Sequence, residues 1–429
     1  VGAMYVEPDC NIPNAESLVR QCLYGQQTYK RMFGKTVNNA WLPDVFGNSW
    51  ILPQILKKSG VDYFVSNKMS TWNDTNRFPH NNFIWKGIDG SSVYACVPPT
   101  HFITWNAPSQ IQENWEAYID KDQGGQTMNM FGYGDGGSGC TEEMIELMHR
   151  FDKLSIMPKC EHVGGAEFLE KNLKGNTNLE TWDGELYLEM HRGTFTTKSN
   201  LKRANRRIEN KFRNAEILSL IRGDDNTAEI GALYKKFLVN QFHDILAGCS
   251  IKPAYDDAYA GFGYAKEAAM EIGTFAAERI SWRINTTKFF DSELSEIRGR
   301  LWTRSGEGSP MVVFNPHSFP VNGYASFGEH WATGVVDEND NDVEFQMIRA
   351  PYTDGQSRNR CLFNVEIPAY GYSTYFIFRD KQNYVPQERE NQFAIGEKFI
   401  ENSVVRLEFD SDGRIISYFN KKKNKEFCE

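Results

Sequence analysis

Between about Thr197 and Ile284 no stretch of the sequence reads as a β-strand, although strand-like runs are frequent on both sides. That silence divides the chain into three regions and rules out one uniform layered core. Within it, apolar residues recur at helical spacing over about Leu201 to Ile221, Ala228 to Leu246 and Asp256 to Ile284. Three amphipathic helices joined by short links predict a three-helix bundle. The basic run Lys202, Arg203, Arg206 and Arg207 on the first helix reads as a solvated face.

The preceding region alternates in kind. Strand-like runs at Ala3 to Val6, Val37 to Leu42, Val61 to Ser66, Val93 to Val97, Met128 to Tyr133 and Glu185 to Met190 are separated by helical patterns. Those patterns cover Ala15 to Phe33, Trp50 to Lys58, Ser109 to Ile119, Glu142 to Leu154 and Ala166 to Leu173, with Asn14 and Thr141 as candidate N-caps. The alternation predicts βαβ units and a mostly parallel sheet. After Ser305-Gly306-Glu307-Gly308-Ser309-Pro310 the pattern changes to short alternating runs, at Met311 to Phe314, Tyr324 to Phe327, Val343 to Ile348, Cys361 to Ile367, Thr374 to Phe378 and Val404 to Phe409. These predict the start of an antiparallel β-sandwich domain. The expected organisation is therefore multidomain, α/β then α then β, over 1–190, 191–290 and 300–429.

A net charge of −9 with scattered Lys and Arg argues against nucleic acid as a partner. No window approaches the ~20 apolar residues that cross a bilayer, so no membrane partner is expected. Eight cysteines without a C-x-x-C pair suit reduced thiols and a cytoplasmic location. The sequence opens without Met, inside a predicted strand, and is expected to be part of a longer chain. It is compatible with a homo-oligomer.

Three stretches carry ionisable groups where chemistry is usually built. Trp41-Leu42-Pro43-Asp44-Val45-Phe46-Gly47-Asn48-Ser49 runs from the end of a strand towards a helix, so Asp44 sits on the sheet rim, as a turn cap or as a catalytic carboxylate. Phe131-Gly132-Tyr133-Gly134-Asp135-Gly136-Gly137-Ser138-Gly139 lacks a P-loop lysine and places a carboxylate where an anion would sit. It reads either as a flexible surface loop or as backbone passing close to a neutral polyhydroxyl ligand. In Asn240-Gln241-Phe242-His243-Asp244-Ile245-Leu246, His243 is either a cation at a helix C-terminus or a metal ligand beside a sugar-binding carboxylate, Asp244. Two rim carboxylates with a His-Asp pair form the constellation of a glycosidase, in which one acid attacks and the other protonates the leaving oxygen. Trp72, Trp85, Trp105 and Tyr133 are the aromatic candidates for stacking on sugar faces.

These stretches, together with His191-Arg192-Gly193-Thr194-Phe195-Thr196-Thr197, resemble the signatures of glycoside hydrolase family 38, the class II retaining α-mannosidases, and especially its cytosolic and bacterial branch. The resemblance implies an incomplete α/β barrel, a three-helix bundle and β domains. It implies Asp44 as nucleophile and zinc ligand, His243 as a second zinc ligand, Asp244 as the group holding sugar hydroxyls, and Asp135 as general acid/base. Zn2+ would be the cofactor and an α-mannoside oligosaccharide the substrate. The family also takes two zinc ligands from a His-x-Asp motif on its first barrel strand, and none of the eight His residues here has Asp two positions on. That strand is expected upstream of Val1, and residues 1–429 alone are expected to be inactive. The alternatives are a non-catalytic carbohydrate-binding relative and a zinc-dependent polysaccharide deacetylase on a related barrel.

Overall fold

A computed structural model describes residues 2–151, 153–289, 308–328, 332–349, 359–379 and 392–428. The chain forms two compact units, Val1–Arg283 and Ile284–Glu429.

In the first unit the opening helix, Ala15–Phe33, has the expected limits. The Asn14 side chain accepts from the Ser17 amide at 2.8 Å, and Gly34 ends the helix in the left-handed region at φ +72°. A five-stranded mixed sheet follows, built from β1 (Asn39–Leu42), β2 (Tyr63–Ser66), β3 (Asn82–Lys86), β4 (Ser92–Cys96) and β5 (Thr181–Asp183) in the order β1-β2-β4-β3-β5. The pairs β1/β2, β2/β4 and β3/β5 are parallel, whereas β3/β4 is an antiparallel hairpin. Leu42, Val45, Leu52, Phe64, Phe83, Trp85, Ala95 and Leu186 form the buried core between the sheet and its helices. Emptying such a site, as in Phe64→Ala, costs about 3–5 kcal/mol.

Three of the expected strands are not strands, because their backbone groups are satisfied elsewhere. Near Ala3 to Val6, the Tyr5 amide donates to Gln21 O on the opening helix at 2.9 Å. Within Met128 to Tyr133, Met130 O accepts from the Thr104 hydroxyl at 2.8 Å and Met128 O from the Asn114 amide group at 3.2 Å. Along Glu185 to Met190, Leu186 exchanges hydrogen bonds with Asn48, and Tyr187 O accepts from the Asn73 side chain at 3.0 Å. Conversely β3 and β5 lie where no strand was expected.

Helices Ser199–Arg222, Thr227–Val239 and Lys252–Ser281 pack around Phe212, Tyr234, Phe237 and Phe262, with the Phe212 and Tyr234 rings stacked at 4.2 Å. Gly273 lets two of these helices approach, since a Cβ there would lie 3.5 Å from Ala215 Cα. The middle helix does not run on to Leu246. It stops at Val239, and a separate short helical turn begins at His243. Between them Gln241 is fully buried, donating to Asn205 at 2.9 Å, while its carbonyl accepts from the Asp9 amide. A buried amide with specific partners outcompetes one more helical turn.

In the second unit, β6 (Gly308–Asn315), β7 (Val321–Gly328), β8 (Gly334–Asp337), β9 (Phe345–Arg349), β10 (Asn359–Ile367) and β11 (Gly371–Phe378) form two antiparallel sheets, β7-β10-β9 and β6-β11-β8. Phe363 and Val365 of β10 share a core with Tyr375 and Ile377 of β11. A five-stranded antiparallel meander follows, with β12 (Ala394–Gly396), β13 (Phe399–Glu401), β14 (Val405–Phe409), β15 (Ile415–Asn420) and β16 (Lys425–Glu426) paired in chain order. The expected boundary at Ser305 to Pro310 lies partly outside the described residues.

Candidate active site

Asp44 lies two residues beyond the end of β1, and the stretch behind it is locked from several sides. The Asn48 amide donates to Leu186 O at 2.9 Å and the Asn11 side chain donates to Phe46 O at 3.2 Å. Gly47 adopts φ +87°, and a Cβ there would come 3.2 Å from Leu186 O, so glycine is required on both conformational and steric grounds. The Asp44 carboxylate is thus presented by rigid backbone.

His243 reaches it from a distant part of the chain. The extended segment before His243 bridges Pro8 through Phe242, and Glu7 O accepts from the His243 amide at 3.1 Å. The same carbonyl lies 2.8 Å from Nδ1 of the His243 ring. A carbonyl only accepts, so Nδ1 carries the proton and Nε2 is turned to the carboxylates. It lies 3.6 Å from Asp44 Oδ2 and 3.8 Å from Asp244 Oδ1. His243 sits at the start of a helical turn, so the helix C-terminal cation expected as one alternative does not apply. Burial disfavours the imidazolium, but the Asp44 contact, the Glu7 carbonyl and Asp244 outweigh it and hold the His243 pKa above its ordinary value.

Sequence inspection missed two further groups. Lys68 follows β2 on the same rim as Asp44, is buried, and its ammonium forms an ion pair with Asp44 Oδ1 while lying 5.1 Å over the Phe46 ring. The rim rule applied to β2 would have found it. Burial would raise the Asp44 pKa, yet His243 and Lys68 together hold it below the usual carboxylate value. Glu7 lends its side chain to the same neighbourhood. Burial raises its pKa, His243 opposes that, and the Asp44 and Asp244 charges add to the rise. It lies one residue beyond the supposed strand Ala3 to Val6, where a single glutamate carries no motif.

Oxygen or nitrogen atoms of Asp44, His243 and Asp244 all lie within 4.8 Å of one another. One imidazole nitrogen with two carboxylates is a donor set suited to a divalent cation of the zinc kind, and the crowding of carboxylates is what such a charge relieves. Cys249 borders this group, its thiol donating to Asp244 Oδ1 at 3.3 Å, with its pKa pushed up to about 12 by burial and by Asp244.

The other expected residues are placed differently. Trp72 packs with Phe46, Leu188 and Ala247, and meets the His191 ring edge-on at 5.0 Å. Trp85 is a fully buried core residue whose indole donates to Gly184 O at 2.8 Å, so it is not a sugar platform. Tyr133 is exposed, 6.5 Å from the exposed Trp105. Asp135 is also exposed, on a single tight turn over Gly134–Gly136. There Gly134 at φ +50° sits where a Cβ would strike the Ile103 side chain. Nearby, burial and then Lys68 lower the His101 pKa, while Asp135 and Asp44 act in the opposite sense.

Against this geometry, residues 1–185 match the glycosyl hydrolases family 38 N-terminal domain, and residues 189–280 match the alpha mannosidase middle domain. The chain belongs to glycosyl hydrolase family 38, the class II α-mannosidases. It is 31% identical over 443 residues to Alpha-mannosidase G of Dictyostelium discoideum, covering 99% of this chain and 40% of that protein. To the Alpha-mannosidase of Saccharomyces cerevisiae it is 33% identical over 351 residues, covering 76% of this chain and 31% of that one. The crystal structure of an alpha-mannosidase from Enterococcus faecalis V583 shares its fold, with a TM-score of 0.73 at 15% identity over 99% of this chain and 52% of the other. The chain thus spans less than half the length of these curated relatives. No helix among the described residues is long and apolar enough to cross a membrane.

Proposed function

We propose that this chain carries the catalytic centre of a zinc-assisted, retaining exo-α-mannosidase acting on terminal α-mannosidic bonds of an oligosaccharide. The supporting observation is the Asp44 carboxylate, held ionised between Lys68 and His243 with Asp244 beside it. An ionised, rigidly presented carboxylate is what a glycosidase nucleophile must be. Asp44 attacks the anomeric carbon as Asp135 protonates the leaving oxygen. Asp135 then takes a proton from the water that hydrolyses the glycosyl-aspartate ester. Asp244 holds sugar hydroxyls, and Trp72 and Tyr133 flank the sugar. Asp44 and His243 would hold the zinc, which when bound supplies Lewis-acid polarisation and orients the substrate.

We further propose that the five-stranded sheet belongs to an incomplete α/β barrel, that 191–290 is a three-helix bundle and 300–429 the start of a sandwich, and that the enzyme is cytoplasmic. The family resemblance implies two metal ligands beyond those supplied here, so residues 1–429 expressed alone are expected to bind zinc weakly and turn over little substrate. The test is hydrolysis of an aryl α-mannoside by the full-length protein with and without chelator. Activity lost on chelation and regained with zinc supports the assignment; activity indifferent to chelation removes the metal role, and binding without hydrolysis would indicate a carbohydrate-binding relative.

A further inference from the structure

The His191 to Thr197 signature has no chemical task in the mechanism above, yet its backbone is firmly placed. Gly193 O accepts from the Thr197 amide at 2.8 Å and from the Thr197 hydroxyl at 2.7 Å. The Lys202 ammonium donates to Thr197 O, to Leu246 O at 2.8 Å and to Ala247 O at 3.2 Å. At Gly248, φ +99°, a Cβ would come 2.8 Å from Thr197 Cγ2. The segment is therefore pinned against the turn that carries His243 and Asp244.

At its head His191 adopts φ +65° and ψ +26°, a left-handed conformation that costs a residue with a side chain about 1–2 kcal/mol. Asn or Gly would adopt it more cheaply. What the strained backbone achieves is the placing of an imidazole. Its ring lies 5.0 Å from Trp72 at 88° and 5.7 Å from Phe46, the ring that also meets His243 at 6.1 Å and lies under Lys68. His191 is exposed, and no hydrogen bond to either of its ring nitrogens is found among the described residues. Burial and then Lys68 lower its pKa, with Asp44 opposing. A neutral imidazole offers one donor and one acceptor, which matches a hydroxyl.

We propose that His191 is a specificity-determining residue of this site, its imidazole exchanging a hydrogen bond with a hydroxyl of the sugar held against Asp44 while Trp72 and Phe46 wall the ring. The proposal rests on the mannosidase assignment. It is tested in the full-length protein with His191→Gly, which suits the backbone and deletes the ring, and His191→Asn, which suits the backbone and keeps a donor and an acceptor. On an aryl α-mannoside, His191→Gly is expected to lower kcat/KM on the order of tenfold with no loss of thermal midpoint, and His191→Asn to recover part of that. On a series of 3-, 4- and 6-deoxy aryl mannosides, wild type and His191→Gly should converge to within about twofold for one member, whose missing hydroxyl is the partner. A Gly variant as active as wild type, or one impaired equally on every deoxy substrate, overturns the proposal while leaving the mannosidase assignment standing. A wild type without α-mannosidase activity overturns both.

Discussion

The segment Asp44 to Ser49 and the glycine-rich loop 132–139 present their carboxylates in opposite ways. The first is threaded between Asn11 and Leu186, with its acid in a cage of fixed charges. The second is open, with Tyr133 and Asp135 exposed and Gly137 free of any neighbour within 4 Å of a would-be Cβ. The contrast matches the two roles proposed. A nucleophile must be aimed at one atom, which rigid backbone provides. An acid that serves different leaving groups and then a water molecule can tolerate a more yielding support.

The sharpest way to break this comparison is to remove each carboxylate. Asp44→Ala should abolish turnover in the full-length protein, by at least ~10⁴-fold, with the circular dichroism spectrum unchanged. Asp135→Ala should cost about 10²-fold or more on an oligosaccharide, less on an aryl mannoside whose leaving group needs no proton, and be partly rescued by azide. Equal losses on both substrates would remove Asp135 from the acid role. Next in size, His243→Ala should weaken zinc binding by more than the about 10–100-fold typical of losses outside the ligand shell, read by competition with a chromophoric chelator.

The pH dependence separates the caged carboxylate from its metal-bound form. In metal-free protein the raised His243 pKa contributes stability that is complete below the unfolded imidazole value and lost as pH rises through the folded one. The lowered Asp44 pKa contributes stability that is complete above the unfolded carboxylate value and lost as pH falls through the folded one. The pair therefore supports the fold most fully between about pH 4 and 6.5, where the thermal midpoints of wild type and Asp44→Asn should differ most. Zinc requires neutral His243, so binding should release a proton and weaken as pH falls. Calorimetry in two buffers of different ionisation enthalpy measures that proton. The smallest effect is in the backbone: Gly47→Ala should cost about 1–3 kcal/mol more than Gly137→Ala, since both have positive φ but only Gly47 has a carbonyl, Leu186 O, crowding the added methyl.

Local signals in the sequence were reliable where they acted locally. Asn14 and Gly34 mark the ends of the first helix because capping is settled within a few residues. The second unit's six alternating runs each fall on a strand for the same reason, whereas the short strands Gly334–Asp337, Ala394–Gly396, Phe399–Glu401, Ile415–Asn420 and Lys425–Glu426 had no such run. The misplaced strands failed because Met128, Met130 and Tyr187 have strand-like composition, while their carbonyls are claimed by Asn114, Thr104 and Asn73, partners that no periodicity encodes. The site shows the same limit. Asp44, His243 and Asp244 were named from their own motifs, but their meeting depends on Pro8 pairing with Phe242, and Glu7 with His243, across most of the unit, which only family resemblance could supply. Lys68 and Glu7 stayed hidden because a lone lysine or glutamate normally signals a solvated surface.

The central claim is that the Asp44 carboxylate forms the bond to the sugar. Incubating the full-length protein with a fluorinated mannosyl fluoride that stalls the second step, then digesting and sequencing the labelled peptide by mass spectrometry, tests it directly. The label is expected on Asp44, within the Trp41 to Ser49 stretch; a label on Asp135, Asp244 or Glu7, or turnover with inversion and no label, would contradict the account.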